Sequence, residues 1–162
     1  MNLHTFVIGE GETEKEYQMI QLDAFKANMY LLKLKGKIGK ALSGGLDSEA
    51  SNLMSLIDEK TIEEIIFPLM RDCALTCTSD KTKLDGKEGM NKIFTAETLD
   101  DFYLVAWEVV KFNFGPFISK MAKNLFGLEL TEVSRLMKEK MKEVGKSGFA
   151  TISTQNTGSG VQ

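Results

Sequence analysis

The 162-residue sequence is poor in the residues that most often carry catalysis or bind metal. It has one histidine and two cysteines, and its net charge of -3 provides no basic field for nucleic acid. A structural zinc site needs four ligands, whereas Cys73 and Cys77 supply two and the only histidine, His4, lies far away along the chain. The sequence therefore predicts no metal, no cofactor, no catalytic residues and no binding to nucleic acid.

Long apolar runs are also absent. No segment approaches the roughly 18 apolar residues that a membrane span needs, and the N-terminal MNLHTFVIGEGETEKE has no basic leader before an apolar core. The sparse use of cysteine fits a reducing compartment. We therefore expect a protein that has no membrane segment and stays in the cytoplasm.

The remaining composition is typical of one globular domain, with 43% apolar and 27% charged residues. No linker divides the chain into two cores. We predict a mainly helical α+β domain over residues 1–145, with a small β-hairpin at residues 4–22. Residues 146–162 are rich in Ser, Thr, Gly, Asn and Gln and carry no charge after Lys146, so we predict a flexible tail.

Two short strands are predicted at the N-terminus. HTFVIG is apolar and β-branched, EYQMIQL alternates polar with apolar residues, and the acidic GEGETEKE between them reads as a turn. The Gly9-x-Gly11 pair lacks the third glycine of a dinucleotide-binding loop, and a tight hairpin turn accounts for it. His4 is expected at the end of a strand, facing solvent.

The first helix is predicted to follow Asp23, whose carboxylate can cap the free amides of a first turn. The segment AFKANMYLLKLKGKIGKAL then has apolar residues at helical spacing, and most of its lysines fall on the other side. The face expected to be buried contains Phe25, Met29, Leu32, Leu34, Ile38 and Leu42.

In the middle of the chain the sequence predicts two helical pieces with a break near residues 58–61. Pro68 is expected either to kink the second piece or to begin a new helix. The polar run at residues 76–90 is expected to be a surface connection that carries a short β-ribbon. Cys73 and Cys77 lie four residues apart near the helix end, so they are expected to share a helical face without forming a bond.

Further helices are predicted from the segment FTAETLDDFYLVAWEVVKFNFGPFISKMAKNLFG. Thr98 is expected to cap the first of them. Gly115 is expected to end that helix, and Pro116 is expected in the first turn of the next one. Gly127 is expected to end this second helix. Thr131 is then expected to cap a last amphipathic helix.

The stretch SGGLDS, residues 43–48, resembles the phosphate-binding loop of ATP pyrophosphatases. Such a loop needs a buried parallel strand before it, whereas the preceding KGKIGKAL holds three lysines and reads as the end of a helix. A helix end and a turn, followed by a new helix that Asp47 or Ser48 caps, explain the same residues. An ATP-dependent enzyme stays the alternative function.

Aromatic side chains are concentrated near a predicted helix break, in the segment KFNFGPF. Aromatic residues at helical spacing usually pack in the core, but those of a broken helix cannot all share one face. Some of them can therefore form an exposed apolar patch that a partner covers. The candidates for contact with a partner are Phe112, Phe114, Phe117 and Phe126.

Two segments, YQMIQLDAFKANMYLLKLKGKIGKAL and FTAETLDDFYLVAWEVVKFNFGPFISKM, resemble the tail assembly chaperones of long-tailed bacteriophages and prophages. In that family a strand pair leads into a helix of the type Leu-x-Ala-x-x-Ala. A later helix ends in an Asn-Phe-x-x-Phe-like element, here Asn113, Phe114 and Phe117. The resemblance covers residues 5–127.

The resemblance implies a non-enzymatic protein of the bacterial cytoplasm. Such chaperones bind the long helical tape measure protein, keep it soluble and help tail tube subunits assemble around it. It also implies a homo-oligomer, with the tail tube protein as a second possible partner. A tail or capsid protein that remains in the virion is a further alternative.

Overall fold

Four antiparallel strands form one sheet, in the order β1-β2-β3-β4. The structure is a computed structural model and describes residues 2–43, 58–139 and 142. The strands are β1 (Leu3–Ile8), β2 (Lys15–Ile20), β3 (Thr76–Cys77) and β4 (Thr82–Lys83). The helices are α1 (Ala24–Ser43), α2 (residues 59–72), α3 (Lys87–Ile93), α4 (Leu99–Phe126) and α5 (residues 130–139). The predicted mainly helical fold with an N-terminal hairpin is confirmed.

The N-terminal hairpin pairs Leu3 with Ile20 and Ile8 with Lys15, and a short 3-10 turn at Gly11–Thr13 joins its strands. The predicted β-ribbon is also present, as β3 paired with β4. It is more than a surface connection, because Cys77 of β3 pairs with Tyr17 of β2 and extends the hairpin to four strands. Strands of two residues carry too little alternation to reveal this pairing in advance.

Helix α1 begins where the sequence predicts. The Lys26 amide donates to the Asp23 carboxylate at 2.8 Å, which satisfies one of the free amides of the first turn. The helix is anchored through Tyr30 and Leu34, which are 3% and 6% exposed. The Tyr30 hydroxyl donates to the carboxylate of Asp72 at 2.9 Å, so α1 is tied to the end of α2.

The predicted buried face of α1 is wrong at three positions. Phe25, Met29 and Leu32 are exposed by 74%, 40% and 61%. The helix has apolar residues on two opposite sides, and the core takes the side that holds Tyr30 and Leu34. Apolar periodicity by itself does not tell which of two stripes packs inward.

Helix α2 changes hydrogen-bonding pattern twice along its length. Its parts are α-helical Glu59–Thr61, π-helical Ile62–Ile66 and α-helical Phe67–Asp72. Asp58 caps its start, where the Thr61 amide donates to the carboxylate at 2.6 Å. Pro68 stands just after the π turn, in the first turn of the last part, where a missing amide is tolerated. The helical piece predicted before Asp58 lies outside the described residues.

Helix α4 runs without interruption from Leu99 to Phe126, so the predicted break at residues 115–116 is wrong. Pro116 is exposed, and Gly115 before it has no Cβ to meet the proline ring. Buried residues on both sides of the proline, Phe114 and Ile118, hold the two halves on one core.

The end of α4 at Gly127 is confirmed. Gly127 has φ +66°, a left-handed conformation that glycine adopts without strain. Its amide donates to the carbonyl of Lys123 at 3.1 Å, and the Leu128 amide donates to the carbonyl of Ala122 at 3.3 Å. These bonds satisfy carbonyls that a helix end otherwise leaves free.

Helix α5 confirms the last predicted helix, but its cap is different. The Val133 amide donates to the Glu129 carbonyl at 3.1 Å, and the Glu129 amide donates to the Glu132 carboxylate at 3.2 Å. The cap is therefore Glu129, two residues before the expected Thr131. Glu108 of α4 is 7% exposed and its carboxylate lies 3.4 Å from Lys138 of α5.

The core lies between the sheet and the N-terminal half of α4. Phe102 and Val105 of α4 have no exposed surface, and Val109 is 1% exposed. From the sheet, Tyr17 and Met19 of β2 are each 1% exposed. These residues belong to one buried core that α4 shares with the sheet and with Leu69 and Met70 of α2.

We expect Gly89→Ala to lower the free energy of unfolding by about 1–3 kcal/mol, because its methyl group has no room. A Cβ at Gly89 of α3 would lie 2.1 Å from the carbonyl oxygen of Lys83 in β4. Gly36→Ala in α1 is the control, since its Cβ would meet nothing within 4 Å. The control should raise stability by about 0.5–1 kcal/mol. Urea unfolding of both variants checks this, and equal effects would contradict it.

Candidate partner-binding surfaces

The four phenylalanines expected to contact a partner lie on α4, but they are not equally accessible. Phe114 is 3% exposed and belongs to the core, whereas Phe112 and Phe117 are half-buried and pack against it. Phe126 is the last residue of α4, and its side chain lies outside the described part of the structure. Contact of these residues with a partner remains a prediction.

His4 is half-buried in β1 and does not face solvent, so the expectation for this residue is wrong. Its ring stacks on Phe112 of α4 with centroids 4.6 Å apart, and on Phe6 at 5.5 Å. The stack continues from Phe6 to Tyr17 at 5.5 Å and from Tyr17 to Phe94 at 6.5 Å. This aromatic row fastens the hairpin to α4, which explains the half-burial of Phe112.

Asn113 joins three parts of the chain. Its side-chain oxygen accepts from the Leu22 amide at 3.0 Å, in the connection between β2 and α1. Its side-chain nitrogen donates to the Val109 carbonyl at 2.9 Å and to the Cys73 sulfur at 3.3 Å, at the end of α2. The Asn-Phe-x-x-Phe-like element thus has a structural role in this chain.

The outer face of α1, defined here by Phe25, Met29 and Leu32, is the apolar surface that sequence reasoning missed. Leu3 and Val7 of β1 are the other large apolar side chains that the described residues expose, by 61% and 51%. Three exposed apolar residues on one side of a single helix form a patch that another protein can cover. Their spacing of four and three residues was the available signal.

A shallow cavity of about 380 Å³ lies between α2, α3 and α4. Ile62, Phe67, Met90 and Tyr103 line it, and the ion pair of Lys87 and Glu63 crosses it. The hydrogen bond to Glu63 raises the pKa of Lys87, which therefore stays charged. A charged lysine that is already paired with a carboxylate is not poised to act as a base.

One family model matches residues 11–127, and its description is "Phage tail assembly chaperone protein, TAC". The match covers more than half of the chain. The chain belongs to this phage tail assembly chaperone family. The resemblance seen in the sequence is therefore confirmed.

The part that matches the chaperone family extends from the turn of the hairpin to Gly127, the residue that ends α4. It includes α1 with its outer face, and Phe112 and Asn113 of α4. No curated protein and no solved structure matches the chain. Membership of the family supports a role in phage tail assembly.

The SGGLDS stretch of this chaperone begins at Ser43, the last residue of α1. Residues 44–48 lie outside the described part of the structure. The segment before the stretch is helical, as predicted, and the described strands pair in antiparallel fashion. A phosphate-binding loop of the ATP pyrophosphatase type follows a parallel strand, and the described residues supply none.

The two thiols of the chaperone are buried and free. Burial raises the pKa of Cys73 to about 11 and also raises the pKa of Cys77, so both stay protonated at neutral pH. They do not share a helical face, because Cys77 lies in β3. Within residues 2–43 and 58–139, no cluster of three or more His, Cys, Asp or Glu side chains is placed to hold a metal.

None of the described helices of the chaperone is both long enough and apolar enough to span a membrane. Helix α4 has the length, with 28 residues, but charged side chains interrupt its apolar sequence. Apolar residues of its N-terminal half, among them Phe102, Val105 and Val109, are buried in the core.

We expect the chaperone to lose stability as the pH rises above about 9, the unperturbed pKa of its thiols. Burial raises the pKa of Tyr17, and burial with the hydrogen bond to Asp72 raises the pKa of Tyr30 to about 12. A group whose pKa is higher in the folded than in the unfolded state contributes its full stabilisation at pH values below its unfolded pKa. That stabilisation is lost as the pH rises and the unfolded chain ionises.

Urea unfolding at pH 7, 9 and 10.5 tests this alkaline loss. Tyr17→Phe is the matched control, because it keeps the stacked ring and removes one titrating hydroxyl. The variant should therefore lose less stability between pH 9 and 10.5 than the wild type. A stability that stays constant to pH 10.5 would contradict the assignment of buried, neutral phenols.

Proposed function

We propose that this protein binds the tape measure protein of its phage and assists assembly of the tail tube, without catalysing a reaction. The observation that carries the proposal is the family match over residues 11–127. The exposed apolar face of α1 supports it, because a chaperone needs accessible apolar surface to cover that of its client.

The fold suits a client that is a long helical protein. The sheet and α4 form a packed support, and α1 extends over about 30 Å at 1.5 Å per residue. Its outer face is apolar, so an amphipathic helix of the client can lie against it. The client's apolar residues would thereby be kept from water until tube subunits replace the chaperone.

Three further properties belong to the same proposal. The protein acts in the cytoplasm of the bacterial host, it self-associates into a homo-oligomer, and it can also contact the tail tube protein. Phe112 and Phe117 remain candidates for these contacts because part of each ring is accessible. Residues 146–162, predicted as a flexible tail, lie outside the described residues.

Co-expression with the long helical protein encoded just downstream tests the proposal. The tape measure protein should be soluble and co-purify when the chaperone is present, and should be insoluble when it is absent. An unrelated coiled-coil protein of similar length is the control and should gain no solubility. A purified tape measure fragment that neither binds nor gains solubility would remove the support for this function.

Two other results would favour the alternatives. Magnesium-dependent ATP binding that Asp47→Ala abolishes would indicate an enzyme that uses residues 43–48, and a flat calorimetric titration would dismiss it. Detection of the protein in mature virions by mass spectrometry would indicate a tail or capsid component that remains in the particle.

A further inference from the structure

We infer that the outer face of α1 is the docking surface for an acidic amphipathic helix. The inference rests on the proposed function, since that helix would belong to the tape measure protein. It goes further because it names the residues of the surface and the charge of the partner. The argument depends on the geometry of α1, on Gly36 and on the lysines of the helix.

The outer face is a continuous stripe directed away from the core. At about 100° per residue, Phe25, Met29 and Leu32 lie within about 60° of one another around the helix axis. Tyr30 and Leu34, the buried anchors, lie on the opposite side and are 3% and 6% exposed. The described residues thus pack against one side of α1 and leave the stripe exposed.

Gly36 extends the stripe, four residues after Leu32. Glycine is among the least favourable residues inside a helix, so its presence there needs a reason. A Cβ at Gly36 would meet nothing within 4 Å, so the described part of the chain does not require a glycine here. A second helix packed on the stripe would require a glycine at this position. The missing side chain lets a large residue of the partner approach the backbone of α1.

The positive charge of α1 indicates which charge the partner carries. The helix contains five lysines and no acidic residue. Lys26 lies 3.9 Å from the carboxylate of Asp72, and Lys37 lies 3.5 Å from that of Asp58. Lys33 and Lys35 are exposed and form no ion pair within the described residues. These two flank the stripe on opposite sides. Flanking charges set partner choice in paired helices, so acidic residues beside the partner's apolar stripe are favoured.

A second copy of α1 fits the stripe less well. An antiparallel pair would place the bulky Leu32 of one copy against Gly36 of the other, which the shape permits. The same register would bring the two Lys33 side chains together and the two Lys35 side chains together. Like charges at flanking positions oppose pairing, so we assign the surface to an acidic helix and treat a second copy as an outcome of the test.

The apolar area available indicates a reversible contact. From their exposed fractions, the three side chains offer about 300 Å² of apolar surface, where a stable complex buries about 800 Å² per partner. A chaperone that must release its client during tube assembly suits such a limited surface.

The probe is a synthetic 21-residue helix with leucine in an apolar stripe and glutamate on both flanks. Its counterpart carries lysine on the flanks. We expect the full-length protein to bind the acidic peptide and not the basic one, with an affinity that falls as salt rises. Leu32→Glu should weaken binding at least about tenfold. Leu3→Glu is the matched control, because Leu3 is also 61% exposed but lies on β1.

Several results would overturn the inference. They are failure of the acidic peptide to bind the wild type, equal binding of both peptides, and equal loss in the Leu32 and Leu3 variants. Sedimentation that shows wild-type dimers dissociated by Leu32→Glu would assign the surface to a second copy instead. If the tape measure protein fails to bind the wild type, the proposed function is wrong. If it binds the wild type and Leu32→Glu equally, only this inference fails.

Discussion

Phe102→Ala is expected to lower the free energy of unfolding by about 3–5 kcal/mol, a large part of the total stability of a domain this size. Phe102 has no exposed surface, and its ring lies 5.7 Å from that of Phe94 and 6.1 Å from that of Phe67. Truncation removes the free energy gained by burying the ring away from water. It also leaves a cavity where α4 meets the aromatic row. Urea unfolding followed by circular dichroism measures the change.

Phe25→Ala is the matched control for this substitution. Phe25 is 74% exposed, so its truncation should change the free energy of unfolding by less than about 0.5 kcal/mol. A comparable loss in both variants would contradict the packing of α1, and with it the assignment of Phe25 to an exposed face.

Asn113→Ala is expected to lower the free energy of unfolding by about 1–3 kcal/mol, because it leaves the half-buried Leu22 amide without its acceptor. The variant also loses the bonds to Val109 and Cys73. The connection between β2 and α1 should therefore loosen first. Hydrogen exchange at the Leu22 amide measures this local effect, and urea unfolding measures the global one.

Asn91→Ala provides the comparison, because Asn91 is exposed on α3. Its effect should stay within about 0.5 kcal/mol. If Asn113→Ala were as mild, the three hydrogen bonds of Asn113 would contribute little. The Asn-Phe-x-x-Phe-like element would then be a better candidate for contact with a partner than for internal packing.

Local signals in the sequence were sufficient for two helix boundaries, the start of α1 and the end of α4. Asp23 and Gly127 were assigned correctly, because a helix cap and a left-handed glycine depend on a few neighbouring atoms. The continuation of α4 through Pro116 was not predicted. It depends on burial on both sides of the proline and on its exposed position, which are properties of the tertiary structure.

The candidate site was harder to predict than the fold. Phe114 and Phe25 are both aromatic residues at helical spacing, yet one is in the core and the other is exposed. Periodicity identifies an apolar stripe, but the direction of that stripe depends on which elements surround the helix. Residues 44–57, including most of SGGLDS, lie outside the described structure.

The contact between His4 and Phe112 has a consequence for synthesis on the ribosome. The two rings stack at 4.6 Å although about a hundred residues separate them in the chain. The hairpin and α1 emerge before α4, and the inner side of the sheet is only partly covered until α4 has been translated. Contacts between distant segments slow folding. The nascent chain should therefore expose its own apolar surface until α4 is complete, and we expect it to need protection from aggregation during that interval.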